Sequence, residues 1–152
     1  MNLRLAIIAP GAEQRIRELA AAAYPNEGCG VLLGRRDGIR MLLVDATSAR
    51  NMWTERSADR YDLDPSDFLR ADRDARSRGL DVCGIWHSHP DHPARPSQFD
   101  TDRAWLDYVY IICRTTQAGA EDMNAFALDA EGGPMPQIGM EISPVPLPDV
   151  AR

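Results

Sequence analysis

Runs of apolar residues separated by turn formers predict a chain of short strands interrupted by helices. The predicted strands cover residues 3–9, 31–34, 40–46, 80–88, 108–114, 122–128 and 139–144. Apolar residues at helical spacing predict a first helix between Gly11 and Pro25. A second helix is predicted from the N-cap Asp64 to Gly79, and a third over residues 97–106. Strands mixed with about three helices, without regular alternation, indicate an α+β fold.

The length of the chain, 152 residues, is enough for one domain with a core that needs no disulfide bonds. We assign residues 1–144 to this domain and residues 145–152 to a flexible, proline-rich tail. The net charge is −6, and every basic residue is an arginine. Because no basic block stands out against this acidic background, the composition argues against a general nucleic-acid-binding protein.

The cellular setting is indicated by two further features. No apolar segment reaches the length of a membrane span, and the N-terminus lacks the pattern of a signal peptide. Cys29, Cys83 and Cys113 lie far apart in apolar surroundings and are odd in number. This usage is typical of buried free thiols in a reducing cytoplasm.

All three histidines of the chain fall into one short stretch, residues 87–92. His87 and His89 end the most apolar predicted strand, and alternation along a strand would place both imidazoles on the same face. A carboxylate, Asp100, follows on the next predicted helix. Two imidazoles and a carboxylate are among the ligands that zinc takes in a catalytic site.

Two other interpretations of this stretch compete with that prediction. Residues 87–92 match the His-x-His-x-Asp-His pattern of metallo-β-lactamases, but no histidine follows His92 to complete their metal site. Separately, Ser97-x-x-Asp100 fits a variant of the helix capping box. A capping role is compatible with a metal role, because a Ser97 cap would fix the first helical turn and aim Asp100 toward the strand end.

A wider pattern joins Glu27, the His-Ser-His-Pro run at residues 87–90, six further residues, and Ser97-x-x-Asp100. This pattern resembles the JAMM (MPN-plus, Mov34/MPN/PAD-1) zinc metallopeptidases, and most of all their small stand-alone prokaryotic members. The resemblance implies a mixed, largely antiparallel curved sheet flanked by about three helices, the cytidine-deaminase-like JAMM/MPN fold. It also implies a zinc enzyme with one Zn²⁺ per chain, and the cysteine usage places this enzyme in the cytoplasm.

The resemblance also implies a role for each matched residue. His87, His89 and Asp100 would bind the metal, Glu27 would act as general base and acid, and Ser97 would stabilise the oxyanion. Without the resemblance, Glu27 would be interpreted as a solvated acid in a turn. His92 and Arg95 lie between these positions but outside the motif, and we leave them out of the predicted site.

The function implied by the resemblance is hydrolysis of a peptide or isopeptide bond at the C-terminal glycine tail of a ubiquitin-like protein of the sulfur-carrier type. An alternative is a non-catalytic MPN-type scaffold or ubiquitin-like-binding module. The complete ligand set, His87, His89 and Asp100, favours the enzyme. A DNA-repair-type relative is disfavoured by the acidic charge and by the lack of a helix-hairpin-helix extension.

Overall fold

The structure is a computed structural model that describes residues 1–55 and 57–150. Within these ranges the strands are β1 (Leu5–Ile8), β2 (Cys29–Asp37), β3 (Arg40–Ala46), β4 (Asp81–Pro90), β5 (Val109–Thr116), β6 (Gly119–Phe126) and β7 (Gln137–Ile142). The helices are α1 (Pro10–Ala23), α2 (Pro65–Ser77) and α3 (Gln98–Asp102).

The strands form a closed barrel in the order β1-β3-β2-β4-β5-β6-β7. The barrel closes where β7 pairs with β1, with Leu5 opposite Gly139. The pairs β1·β3, β1·β7 and β4·β5 are parallel, and the other four are antiparallel.

The predicted architecture, a largely antiparallel curved sheet flanked by about three helices, is therefore wrong. Residues 1–55 and 57–150 instead form a closed, mixed barrel of seven strands with three helices. Closure depends on a pairing between the first and last strands of the chain. Apolar periodicity predicts that each strand exists, but it does not reveal which strands are neighbours.

Alternation along the strands divides the core between the two longer helices. Helix α1 buries a small-residue stripe against β3, β5 and β6, in the same apolar cluster as Leu32. Val31 and Leu33, whose side chains alternate with that of Leu32, belong to a second cluster, which includes residues of α2. The strand β2 thus connects the two cores and is buried along most of its length.

The third helix is shorter than predicted, because it ends at Asp102 and not near residue 106. Its C-cap is Arg103, and the backbone N–H of Trp105 donates a hydrogen bond to the hydroxyl of Tyr110 at 2.8 Å. This contact directs the chain into β5. Trp105 is consequently 61% exposed, although it fits the apolar pattern of a helix.

The strand β4 approaches β2 closely enough to bring the predicted site residues together. The indole N–H of the buried Trp86 donates to the carbonyl of Thr47 at 2.8 Å, and Gly30 faces this contact. A Cβ atom at Gly30 would lie 1.7 Å from the Thr47 oxygen and 2.3 Å from the indole nitrogen. Only glycine fits there. Trp86 thus occupies one face of β4, and its neighbour His87 occupies the other.

The segment after β7 lies against the end of α2. Asp149 forms an ion pair with Arg78 at 3.0 Å, and the carbonyl of Pro148 accepts a hydrogen bond from Arg35 at 3.0 Å. The division into a domain of residues 1–144 and a flexible tail of residues 145–152 stays a prediction. No helix in the described part of the chain combines the length and apolar character needed to cross a membrane.

Candidate metal centre and active-site cleft

Three side chains from β4 and α3 converge on one point. The Nε2 atoms of His87 and His89 lie 3.1 Å apart. The Oδ2 atom of Asp100 lies 3.2 Å from the first of these nitrogens and 3.0 Å from the second. All three residues are buried. The expectation that both imidazoles share one face of a strand is met by β4, which continues through Pro90.

The spacing of these atoms fits a tetrahedral zinc site. Zinc bonds of about 2.0 to 2.1 Å separate neighbouring ligand atoms by about 3.3 Å. The Nδ1 atom of His89 lies 2.9 Å from the carbonyl oxygen of Pro93, which can only accept a hydrogen bond. The Nδ1 atom of His89 therefore carries a proton, and Nε2 is the atom that faces the cluster. The donor set, two nitrogens and one carboxylate oxygen, is one that zinc takes.

The charge states of the cluster also suit a cation. Burial lowers the pKa of His87, so this imidazole releases its proton more readily than an exposed one. Burial would also lower the pKa of His89, but the hydrogen bond to Asp100 outweighs this effect and raises it. Burial by itself would raise the pKa of Asp100. The charge interaction with His87 and hydrogen bonds from both imidazoles and the Ser97 amide outweigh that effect, and the pKa of Asp100 falls well below its usual range. Neutral imidazole and ionised carboxylate are the forms that bind metal.

The predicted capping box is present at the start of α3. The Ser97 hydroxyl accepts a hydrogen bond from the Asp100 N–H at 3.1 Å, and the Asp100 carboxylate accepts one from the Ser97 N–H at 2.9 Å. The oxygen of Asp100 that accepts this bond is also the one that faces the two imidazoles. The cap therefore fixes the direction of the carboxylate, and the two interpretations of the tetrapeptide describe the same contact.

Glu27 lies beside the cluster and is not a solvated turn acid. It is 5% exposed, and its Oε1 atom has no hydrogen-bond partner among the described residues. Ligand-type atoms of Glu27, His87 and His89 lie within 4.8 Å of one another. The donor atoms of His87, His89 and Asp100 lie 3.0 to 3.2 Å apart. Glu27 therefore borders the same point as this trio.

Burial has a large effect on the acidity of Glu27. Removal from water raises the pKa of its carboxyl group from 4.5 to about 8, and the negative charge of Asp100 adds to the rise. The positive neighbours His89 and Arg60 oppose it. A carboxyl group whose pKa lies near neutrality can both accept and donate a proton at working pH.

A cleft of about 460 Å³ gives access to these groups. Its lining comprises Glu27, Asp59, Arg60, His89, His92, Pro93, Arg95, Pro96, Ser97, Gln98 and Phe99. His92 and Arg95, which the motif leaves outside the predicted site, are exposed at the rim of this cleft. A larger apolar groove of about 650 Å³ runs along α2 and past Tyr61, and none of the five predicted site residues lines it.

Sequence reasoning missed a role for the loop between β3 and α2. The ring of Tyr61 stacks on the ring of His87, with centroids 4.4 Å apart and planes inclined by 23°. The side-chain amide of Asn51 donates to the carbonyls of Glu27 and Arg60 at 3.2 and 3.0 Å. Asn51 and Tyr61 both lie in a polar segment without periodicity, which carries no local signal of such a role.

A protein-family match covers most of the chain, including the metal centre. A family model described as prokaryotic homologs of the JAB domain matches residues 10–129. The chain belongs to the prokaryotic JAB family. All five predicted site residues of this JAB protein lie inside the matched region.

Named relatives agree with this assignment. The JAB protein is 39% identical over 98 residues to the Desampylase of Haloferax volcanii, a match that covers 64% of this chain and 68% of the relative. It is 31% identical over 104 residues to the Probable TtuB-protein conjugate cleaving protease of Thermus thermophilus. That match covers 68% of this chain and 63% of the relative, which is less than two thirds of the latter's length.

A solved structure extends the similarity to nearly the whole chain. A protein from Salinibacter ruber, known from a solution structure, superposes with a TM-score of 0.72 at 32% identity, over 96% of this chain and 99% of that one. The predicted membership of the JAMM/MPN family is confirmed, and so is the predicted class of enzyme, a JAMM-type hydrolase.

Proposed function

We propose that this JAB protein is a zinc-dependent metallopeptidase that cleaves a peptide or isopeptide bond at the C-terminal glycine tail of a ubiquitin-like protein of the sulfur-carrier type. The observation that carries the proposal is the convergence of His87, His89 and Asp100 beside the unpaired carboxylate of Glu27. The names of both relatives, a desampylase and a protease of protein conjugates, support a substrate of this class.

One Zn²⁺ would be held by His87 Nε2, His89 Nε2 and Asp100 Oδ2. When bound there, zinc supplies Lewis acidity, which makes a water molecule acidic enough to react near neutral pH and polarises the scissile carbonyl. The family implies a metal, and the assignment of zinc rests on the nitrogen and oxygen donors and on their spacing.

Glu27 acts as the general base and acid in this proposal. Its carboxylate takes the proton of the attacking water and then delivers the proton to the nitrogen of the departing amine. The unpaired Oε1 atom is free for this exchange because no described residue binds it. Burial raises the pKa of the carboxyl group in the metal-free protein, and the positive charge of a bound cation would lower it again.

Ser97 stabilises the negative charge that develops on the carbonyl oxygen. Its hydroxyl oxygen already accepts the Asp100 N–H, so the hydroxyl proton remains available to a substrate in the cleft. The hydroxyl oxygen of Ser97 therefore caps α3, while the hydroxyl proton can bind the oxyanion of the substrate.

The substrate tail would bind in the cleft as an extended chain. Every described strand has a neighbour on each side, so the tail lacks a full-length sheet edge on which to pair. The ladder of β2 and β4 ends at Cys29 and His87, and the Ser88 N–H still donates to the Gly28 carbonyl at 3.0 Å, so only the stretch of β4 after Ser88, which ends at Pro90, is left for the tail to approach. We place the reaction in the cytoplasm, in keeping with three buried free cysteines.

The direct test uses ubiquitin-like carriers with C-terminal extensions or isopeptide-linked partners. We expect the zinc-loaded protein to release the extension or the partner after the terminal glycine, as followed by mass spectrometry, and the Glu27→Gln variant to release neither. Metal analysis should find one zinc per chain, and none in His89→Ala. Cleavage that survives Glu27→Gln contradicts the mechanism, and zinc binding that survives His89→Ala contradicts the site.

A further inference from the structure

The two imidazoles of the cluster are held in different ways. His89 uses its outer nitrogen in a 2.9 Å hydrogen bond to the Pro93 carbonyl. The outer nitrogen of His87, Nδ1, is buried and has no hydrogen-bond partner among the described residues. A metal-binding histidine normally donates its second N–H to an oxygen, and this bond fixes the orientation of the ring. His87 makes no such hydrogen bond within the described residues.

The aromatic ring of Tyr61 packs directly against the imidazole of His87. The Tyr61 ring covers the imidazole in a stacked arrangement, with 4.4 Å between centroids and 23° between planes. His87 itself is fully buried, so this face of its ring is not covered by solvent. A flat ring at this distance opposes rotation of the imidazole about its χ2 torsion, because rotation would drive the imidazole edge into the tyrosine.

Tyr61 is itself fixed by backbone contacts on both sides. Asn51 donates to the carbonyl of Arg60 and accepts the N–H of Asp62, each at 3.0 Å. Arg103 donates to the carbonyl of Tyr61 at 3.3 Å. The loop therefore holds the tyrosine in one position. The imidazole of His87, which stacks on it, is consequently held in one orientation.

We propose that Tyr61 is a positioning residue that orients His87 toward the metal by ring stacking, in place of the absent outer hydrogen bond. The inference rests on the proposed zinc function of the cluster. The flat ring carries the effect and the hydroxyl does not. Phenylalanine should therefore replace Tyr61 without loss, whereas an aliphatic side chain should release the imidazole.

The test compares zinc affinity, measured by chelator competition, across four variants. We expect Tyr61→Phe to stay within about twofold of the wild type and Tyr61→Leu to bind zinc about 10- to 100-fold more weakly, the usual cost of losing an outer support. Tyr61→Met, a second variant without a ring, should behave like Tyr61→Leu. Phe68→Leu is the matched control, because Phe68 lines the same apolar groove as Tyr61. Its zinc affinity should not change.

A spectroscopic measurement separates orientation from folding. Cobalt-loaded Tyr61→Leu should show altered d–d absorption, since the ligand arrangement changes, and Tyr61→Phe should keep the wild-type spectrum. Wild-type zinc affinity and spectrum in both Tyr61→Leu and Tyr61→Met would overturn the inference, as would an equal loss of affinity in Phe68→Leu. A wild-type protein that binds no zinc, or whose binding survives His87→Ala, would overturn the proposed function instead.

Discussion

Polar side chains are paired differently at the metal centre and at the end of α2. At the metal centre, Glu27 Oε1 and His87 Nδ1 are two of the four buried side-chain atoms without a hydrogen-bond partner in residues 1–55 and 57–150. At the end of α2, the guanidinium of Arg78 reaches three carboxylates, those of Asp45 at 3.0 Å, Asp74 at 3.2 Å and Asp149 at 3.0 Å.

This difference separates the parts of the molecule that serve chemistry from those that serve the fold. A buried polar atom without a partner costs about 1 to 3 kcal/mol of stability. Such atoms beside a cleft therefore indicate a role in function and not in stability. The contacts of Arg78 join α2, β3 and the segment after β7. Substitutions at the two places should therefore affect activity and stability in opposite ways.

The largest effect is expected for Glu27→Gln. Removing the general base should lower kcat by about 10²- to 10⁴-fold. The thermal midpoint of the metal-free variant at neutral pH should equal or exceed that of the wild type, because the wild-type carboxyl group must take up a proton before it is buried without charge, whereas the amide is neutral at every pH. Steady-state kinetics and calorimetry measure both. A variant that keeps its activity and loses stability would place Glu27 with the structural residues.

Ser97→Ala comes next, because this residue belongs to both classes. Loss of the hydroxyl donor should lower kcat by about 10²- to 10³-fold, and loss of the helix cap should lower the free energy of unfolding by about 1 kcal/mol. Ser97→Thr keeps a hydroxyl and a capping oxygen and is the matched control. If Ser97→Thr lost as much activity as Ser97→Ala, the hydroxyl would not be the group that matters.

The metal-free protein should lose stability as the pH rises through the range in which Glu27 titrates. Its pKa is raised from 4.5 to about 8 by burial, so the folded state binds this proton more tightly than the unfolded state. The contribution is fully present below about pH 4.5 and is lost as the pH rises to about 8.

At 1.36 kcal/mol per pKa unit the loss is less than about 5 kcal/mol, and we expect about 2 kcal/mol or more. Urea unfolding at pH 5 and pH 8 in the presence of a chelator measures it. The Glu27→Gln variant is the control, since the other titrating groups of the cluster remain in it. Equal slopes in the two proteins would show that the Glu27 carboxyl group is not desolvated in the folded state.

The smallest effect is expected for Arg78→Met, which keeps much of the aliphatic stem and removes the charge. The free energy of unfolding should fall by about 1 to 2 kcal/mol, since the Arg78 side chain is 24% exposed and solvent weakens its ion pairs. The deficit should shrink in high salt. Zinc affinity and kcat should not change. A loss of activity would mean that the two places are coupled through the barrel.

Much of the metal site follows from local patterns in the sequence. The period of a strand places His87 and His89 on one face, and the capping box formed with Ser97 aims Asp100, so four of the five site residues lie within residues 87–100. Glu27 required the family resemblance, because its position depends on the pairing of Cys29 with His87 across β2 and β4. No local signal in the sequence encodes that register.

The features that the sequence did not reveal depend on contacts between distant parts of the chain. Closure of the barrel rests on the pairing of Leu5 with Gly139. The stacking of Tyr61 on His87 requires a loop that Asn51 and Arg103 hold in place. Side-chain contacts of this kind become visible only when the strands have been assembled.

The pairing of β1 with β7 has a consequence for the order in which the chain acquires its structure. During synthesis β1 emerges before both of its neighbours, and one of them, β3, follows soon after. The other neighbour, β7, is separated from β1 by all the other described strands and leaves the ribosome after them. The outer edge of β1 therefore stays unpaired until β7 has emerged, and in that interval it offers a site for misassociation with other nascent chains.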